Sequence, residues 1–259
     1  MEVCILPDSI RRLIRSGKHQ GTTSGYLPSY IQTNVVILPK EYADEFREFT
    51  KLNPKSCPLL DELAPGEFSP ALAKDADIRT DVPQYRVYRS DGQYEVVSDI
   101  RPYWQSDFVT FLIGCSFTFE SALQEENITL RHVEENVTVP MYKTNIQTVP
   151  SGPFSGPMVV SMRPIPASDV DKAIKITGKF PSVHGSPIHA GDPSEIGIVD
   201  IRKPDYGDTV TIRENEIPVF WACGVTPQQA ILHAKLPIVI THEPGKMFVT
   251  DVKHEAYRE

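Results

Sequence analysis

Two cysteines stand where a thiol could do chemistry. Cys115 follows the apolar run Phe108-Val109-Thr110-Phe111-Leu112-Ile113-Gly114, and Cys223 follows Ile217-Pro218-Val219-Phe220-Trp221-Ala222. Each run reads as a buried strand, and each is followed by a residue suited to cap a helix, Thr118 or Thr226. Strand ends that feed helix N-termini are where α/β proteins hold ligands, because the free N–H groups there attract carboxylates. A thiol at such a turn has its pKa lowered toward the useful range. For either cysteine alone the commoner reading is a small core residue. Their matched placement is what raises the alternative of a reactive pair.

Further polar groups could serve the same cleft. His184-Gly185-Ser186-Pro187-Ile188-His189-Ala190-Gly191-Asp192-Pro193 is a loop locked by Gly and Pro, and its histidines could act as general bases near neutral pH. His184, His189 and Asp192 could also ligate a metal, but their spacing matches no standard zinc motif and no metal is expected. The competing reading is a structural turn in which each imidazole bonds a backbone carbonyl. Ser151-Gly152-Pro153-Phe154-Ser155-Gly156-Pro157 could offer backbone N–H groups to an anion, yet it lacks the Gly-Lys-Ser/Thr of a nucleotide loop. Lys143, Asn145 and Arg163 lie around it, with Arg163 a candidate carboxylate clamp or a surface ion pair. His242 ends the matching strand of the second half.

The elements that must carry these groups are short. Residues 1–80 read as mainly helical: a helix capped by Asp8 or Ser9 and ending near Arg15, then the short apolar run Asn34 to Leu38. Pro39 starts a second helix bearing Tyr42, Phe46, Phe49 and Leu52. Tyr85-Arg86-Val87-Tyr88 and Tyr94-Glu95-Val96-Val97 flank Asp91-Gly92, a hairpin signal. Pro227 suits a first helical position after Thr226, and Gln229 would complete a capping box.

The two halves match in order. Cys115-x-x-Thr118-x-x-x-Ala122-Leu123 aligns without gaps on Cys223-x-x-Thr226-x-x-x-Ala230-Ile231. Downstream, Pro140 to Asn145 aligns on Pro237 to His242, and Gly156 to Ser161 on Gly245 to Thr250. The expected fold is α+β: two pseudo-symmetric strand–Cys turn–helix units forming a mixed sheet, with an N-terminal helical segment. One domain is expected, with repeat lobes over 81–164 and 165–259. The alternative is that similar units reuse the same caps.

Composition bounds the partners. With 34 acidic and 26 basic residues the formal charge is −8, which argues against nucleic acid and anionic membrane surfaces. No apolar run suits a membrane span, and Met1-Glu2-Val3-Cys4 shows no leader pattern. Cys4, Cys57, Cys115 and Cys223 lie far apart, as reduced thiols of a cytoplasmic protein do. The sequons at Asn127 and Asn136 then read as chance. Prolines number 23 and punctuate short segments, which fits short strands and rigid loops. The expected partner is a small carboxylic or amino acid, with no cofactor; a homo-oligomer is left open.

Several long motifs resemble one family. They are Asp81-Val82-Pro83-Gln84-Tyr85-Arg86-Val87-Tyr88, Phe111-Leu112-Ile113-Gly114-Cys115-Ser116-Phe117, Gly152 to Pro157, His184 to Pro193, and Pro218-Val219-Phe220-Trp221-Ala222-Cys223-Gly224-Val225-Thr226-Pro227-Gln228. Together they resemble the hydro-lyase family related to mitochondrial D-glutamate cyclase, over essentially the whole chain. Lys143, Ala190 and Glu243 depart from the residues common there. The resemblance implies a lyase that eliminates water, with closure of D-glutamate to 5-oxo-D-proline as one reaction; the mitochondrial cyclase carries a further domain, and if that domain performs the cyclisation this chain need not share it. On that reading His184 or His189 would take a proton from the amine. Glu120, or a thiol at Cys115 or Cys223, would protonate the departing oxygen, and Thr118 and Thr226 would mark the carboxylate sites. Two thiols about one site also fit a cofactor-independent racemase or epimerase; a metal-assisted hydratase and a non-catalytic module for a small acid are the other readings.

Overall fold

The computed structural model describes residues 6–23 and 26–259. Cys4 and the leader reading at the N-terminus lie outside the described residues. The elements in chain order are α1 (Pro7–Arg15), β1 (Tyr30–Pro39), α2 (Ala43–Leu52), β2 (Leu59–Leu63), β3 (Tyr85–Arg89), β4 (Tyr94–Val97), β5 (Phe108–Gly114), α3 (Phe117–Glu125), α4 (Arg131–Glu134), β6 (Met141–Gln147), β7 (Pro157–Pro166), α5 (Val170–Thr177), β8 (His189–Ala190), β9 (Glu216–Ala222), α6 (Thr226–Ala234), β10 (Ile238–His242) and β11 (Phe248–Lys253). The fold is α+β, as expected. Among the described residues no helix is long and apolar enough to cross a membrane.

The expected single mixed sheet is instead two sheets, and every pairing in them is antiparallel. One runs β2-β5-β1-β10-β3-β4 with β11 also on β1, the other β6-β7-β9-β8. Neither sheet comes from one contiguous stretch: β10 and β11 join the first, and β6 and β7 join the second. The N-terminal stretch is also less helical than expected, because Asn34 to Leu38 belongs to β1, a central strand. Periodicity alone cannot place a continuous apolar run, since burial on both faces removes the polar alternation. Here Val35 and Ile37 enter one core with Tyr85, Leu112 and Ile240, while Val36 and Leu38 enter another with Phe46, Phe49 and Ile231.

The hairpin at Asp91-Gly92 forms as expected, with Gly92 at φ +81. The two long strands β1 and β7 behave alike. Thr33 pairs Gly114 and Pro39 pairs Phe108; Val160 pairs Ala222 and Pro166 pairs Glu216. Each long strand ends in an extended proline, then a 3-10 turn, then a helix, α2 or α5. The pairing thus relates β7 to β1, whereas the sequence alignment had matched it to β11.

Each Cys turn is a crossing point. α3 leaves the first sheet and buries Phe119 and Leu123 against Val219 and Trp221 of the second. α6 leaves the second sheet and buries Ala230 and Ile231 against Val36 and Val239 of the first. The turns must therefore lie between the sheets, where β1 and β7 can reach both.

Candidate active site

Cys115 and Cys223 line one narrow cavity together with Asn34, Ser116, Gly224 and His242. Its volume is about 30 Å³, roughly that of a single water, so a larger ligand must widen it. Thr138 lines this cavity and also a wider outer pocket of about 330 Å³ that reaches His132 and Asp208. Thr22 Oγ1 donates to the Gly245 carbonyl at 2.8 Å, which joins a wall of the outer pocket to a wall of the inner cavity.

The thiols are not activated in the way that helix N-termini alone suggest. Burial pushes Cys115 up to about 12 and Cys223 up to about 11. The backbone N–H of Phe117 opposes this at Cys115, and that of Val225 does so at Cys223. Both sulfurs therefore carry protons near neutrality and are proton donors rather than ready nucleophiles. Cys223 also lies 3.5 Å from the Met141 thioether.

Behind Cys115 sits a fully buried guanidinium. Arg163 donates through Nε to Glu120 Oε1 at 2.9 Å and through Nη2 to the same carboxylate. It also bonds Ser161 Oγ at 2.9 Å and Ser116 Oγ at 3.1 Å. The rings of Phe119 and Trp221 flank it at 5.3 and 5.5 Å. Arg163 is thus neither a clamp for a ligand carboxylate nor a surface pair; it clamps Glu120. Burial alone would raise the Glu120 carboxyl, but Arg163 and then His132, 3.3 Å away, bring it down to about 2. An ionised carboxylate cannot be the acid expected at Glu120.

His242 is buried, and its Nδ1 accepts the Val35 N–H at 3.1 Å. Burial lowers its pKa to about 4, so the ring is neutral and holds its proton on Nε2. Asn34 donates to the Gly114 carbonyl at 2.8 Å and packs on Gly224, where a Cβ would run into its amide. Gly224→Ala is expected to displace Asn34 and cost about 1–3 kcal/mol of stability in urea unfolding. Asn34→Ala in the same chain should recover part of that loss, and a loss left whole would deny the contact.

The other expected site residues are not among those lining the cavity. His184, at φ +83, is buried with Nδ1 2.9 Å from the Lys55 carbonyl, and burial lowers it to about 4. His189 bonds the Asp192 carbonyl at 2.8 Å, and Asp192 caps the following turn through the Ser194 N–H. This is the structural-turn alternative of the loop, so neither histidine is placed to act as a base in the cavity. Lys143 pairs with Asp205, and Asn145 packs beneath Gly197. Thr118 and Thr226 are not caps: Thr118 lies inside α3 with its hydroxyl unpartnered, and Thr226 bonds the Val159 backbone. Gln229 bonds the Tyr206 hydroxyl instead of closing a capping box. The Gly152 loop packs Phe154 into the core and lies over the Glu45 carboxylate, so it is no open anion nest.

Asn34, Ser116 and His132 were missed. The signals were faint: Asn34 is a polar residue opening an apolar run, and Ser116 adjoins Cys115.

Two buried neutral imidazoles tie stability to pH. In the folded state His184 and His242 protonate near 4, against 6.5 when exposed. Between those values the unfolded chain binds more protons, so stability is whole above about pH 6.5 and falls as pH drops toward 4. The loss should be roughly 3 kcal/mol per ring. Urea midpoints that match at about pH 7 and pH 4 would contradict this.

The comparisons with known proteins bear on the same turns. The family model described as D-glutamate cyclase matches residues 109–251, from β5 to β11, a stretch that holds both cysteines, Arg163 and His242. The chain is 56% identical to a protein of Geobacillus kaustophilus over 95% of its own length and 94% of the relative's. It is 54% identical to one of Bacillus velezensis, covering 96% and 95%. The chain belongs to the D-glutamate cyclase family. These family members carry provisional names as hydro-lyases, as does a Bradyrhizobium diazoefficiens relative at 53% identity over 96% and 92%. The family model begins within β5 and so does not include Asn34, which β1 contributes. Among solved structures, a nitrogen repressor-like protein of Methanococcus jannaschii overlays 98% of both chains at a TM-score of 0.42 and 9% identity.

Proposed function

We propose that this member of the D-glutamate cyclase family is a hydro-lyase acting on a small amino or carboxylic acid in the cavity between Cys115 and Cys223. The observation that carries the reading is that Cys115, Cys223 and His242 line one narrow cavity, where burial raises both thiols and lowers the imidazole. Closure of D-glutamate to 5-oxo-D-proline is the reaction proposed first. The amine nitrogen bonds the γ-carboxyl carbon, one C–O bond breaks, and the oxygen leaves as water. One ammonium proton passes first to the γ-carboxylate, which frees the nitrogen lone pair; a second leaves the nitrogen once the C–N bond has formed, and the two make up that water. A thiol that protonates the departing oxygen is restored by a proton from the nitrogen, so no net acid is consumed. His242 Nε2–H would steady the carboxyl oxygen. The histidine base expected at His184 or His189 is not part of this scheme.

The two turns are proposed to be halves of an internal duplication. The equal registers of β1 with β5 and of β7 with β9 support this, as do the matching N–H contacts to each sulfur. The proposed setting is the cytoplasm, where free buried thiols stay reduced.

The test is incubation with D- and L-glutamate and related acids, read by mass for loss of one water. No loss from any acid sinks the reading. Two thiols on one cavity also suit a racemase, and solvent deuterium at the α-carbon without loss of water would decide for that activity. Thermal stabilisation by an acid with no turnover would decide for a binding module.

A further inference from the structure

Three polar side chains on the cavity each have one end committed to the protein. Asn34 gives Nδ2 to the Gly114 carbonyl at 2.8 Å, and among the described residues no donor reaches its acceptor Oδ1. Ser116 Oγ receives Arg163 Nη2 at 3.1 Å. A guanidinium can only donate, so the Ser116 lone pair is used and its O–H remains. Ser116 stands at the N-cap of α3 yet makes no cap bond, so its hydroxyl is held for Arg163. His242 Nδ1 receives the Val35 N–H at 3.1 Å, which leaves Nε2–H. The three residues are 4%, 3% and 1% exposed, so the little surface each keeps is surface on the cavity they line. The cavity therefore presents two donors and one acceptor of fixed polarity.

The geometry points to Asn34 and Ser116 as the residues that read the two groups joined in the closure: Asn34 Oδ1 accepts from the ligand nitrogen, and the Ser116 hydroxyl donates to a γ-carboxyl oxygen beside His242. The assignment rests on the acid-binding reading of the cavity given above. Arg163 touches no ligand in this scheme. It is a positioning residue, with Glu120 neutralising its charge so that the hydroxyl, not the cation, meets the carboxylate.

Binding of D-glutamate and of glutarate, the same chain without the nitrogen, tests this on the full-length protein by calorimetry. The unmodified protein is expected to favour D-glutamate at least tenfold, and Asn34→Ala to bring that ratio near one. Ser116→Ala should weaken both ligands by about tenfold at an unchanged ratio, and Ser116→Thr should recover most of the binding. Arg163→Lys keeps the charge and should cost as much as Ser116→Ala, with no further loss when the two are combined. A ratio kept by Asn34→Ala, or unweakened binding by Ser116→Ala, overturns the assignment. Should Asn34→Ala fail to fold, equal affinity of the unmodified protein for the two ligands overturns it. No binding of either ligand by the unmodified protein rejects the acid-binding reading itself, and the residue assignment with it.

Discussion

Serine in place of the thiol that supplies the proton, Cys223 or Cys115, is expected to slow turnover of the substrate acid by a hundredfold or more, on the order of what a lost general acid costs. The substitution nearly preserves shape, so the loss should appear in kcat while the fold remains. A hydroxyl is a far weaker acid than a thiol, and it cannot pass a proton to the departing oxygen as readily. Cys57→Ala supplies the comparison: it too is fully buried, but it packs with Phe46 and Phe111 away from the cavity. It should cost stability and leave kcat unchanged. Wild-type rates from both serine variants would remove the thiols from the chemistry. Because both sulfurs hold their protons near neutrality, they should also react slowly with an alkylating reagent when no ligand is bound.

Glu120→Gln is expected to destabilise the fold by about 3–5 kcal/mol, because it leaves the Arg163 cation buried with its partner gone. Ser116, Ser161 and the flanking rings cannot replace a carboxylate. Removing both charges, as in Glu120→Leu with Arg163→Met, should recover much of that stability, since the pair contributes little net once its desolvation is counted. The double variant should nevertheless turn over the substrate acid about tenfold less efficiently, because Ser116 loses the donor that orients it. Urea unfolding and turnover measured on the same preparations separate the two effects. A single variant as stable as the parent would show that the ion pair is not formed. A double variant with full activity would show that it has no part in positioning.

Much of the local structure was legible because it follows from short-range rules. Alternation and apolar runs place β3, β4, β5 and β9 close to their observed limits. Asp91-Gly92 marks its hairpin because few other residues take positive φ. The caps were misjudged at Thr118 and Thr226 because hydroxyls of that type also bond strands or stay within a helix, and only packing chooses.

The site shows the same division. From the chain alone one reads that two Cys turns of matching design exist, that each ends a buried strand and begins a helix, and that the motifs around them are those of one family. These features are local, and local spacing is what a sequence displays. That the turns meet was decided by α3 and α6 each crossing to the opposite sheet, a matter of which apolar faces find each other. That crossing brought Asn34 from β1 and Arg163 from β7 to the same place, across separations no pattern in the sequence encodes. It also reversed the expected acidity of the thiols, since desolvation in a narrow cavity outweighs the N–H groups of the helix ends. Glu120 changed from a candidate acid to the counter-ion of Arg163 for the same reason: burial admits a charge only with its partner.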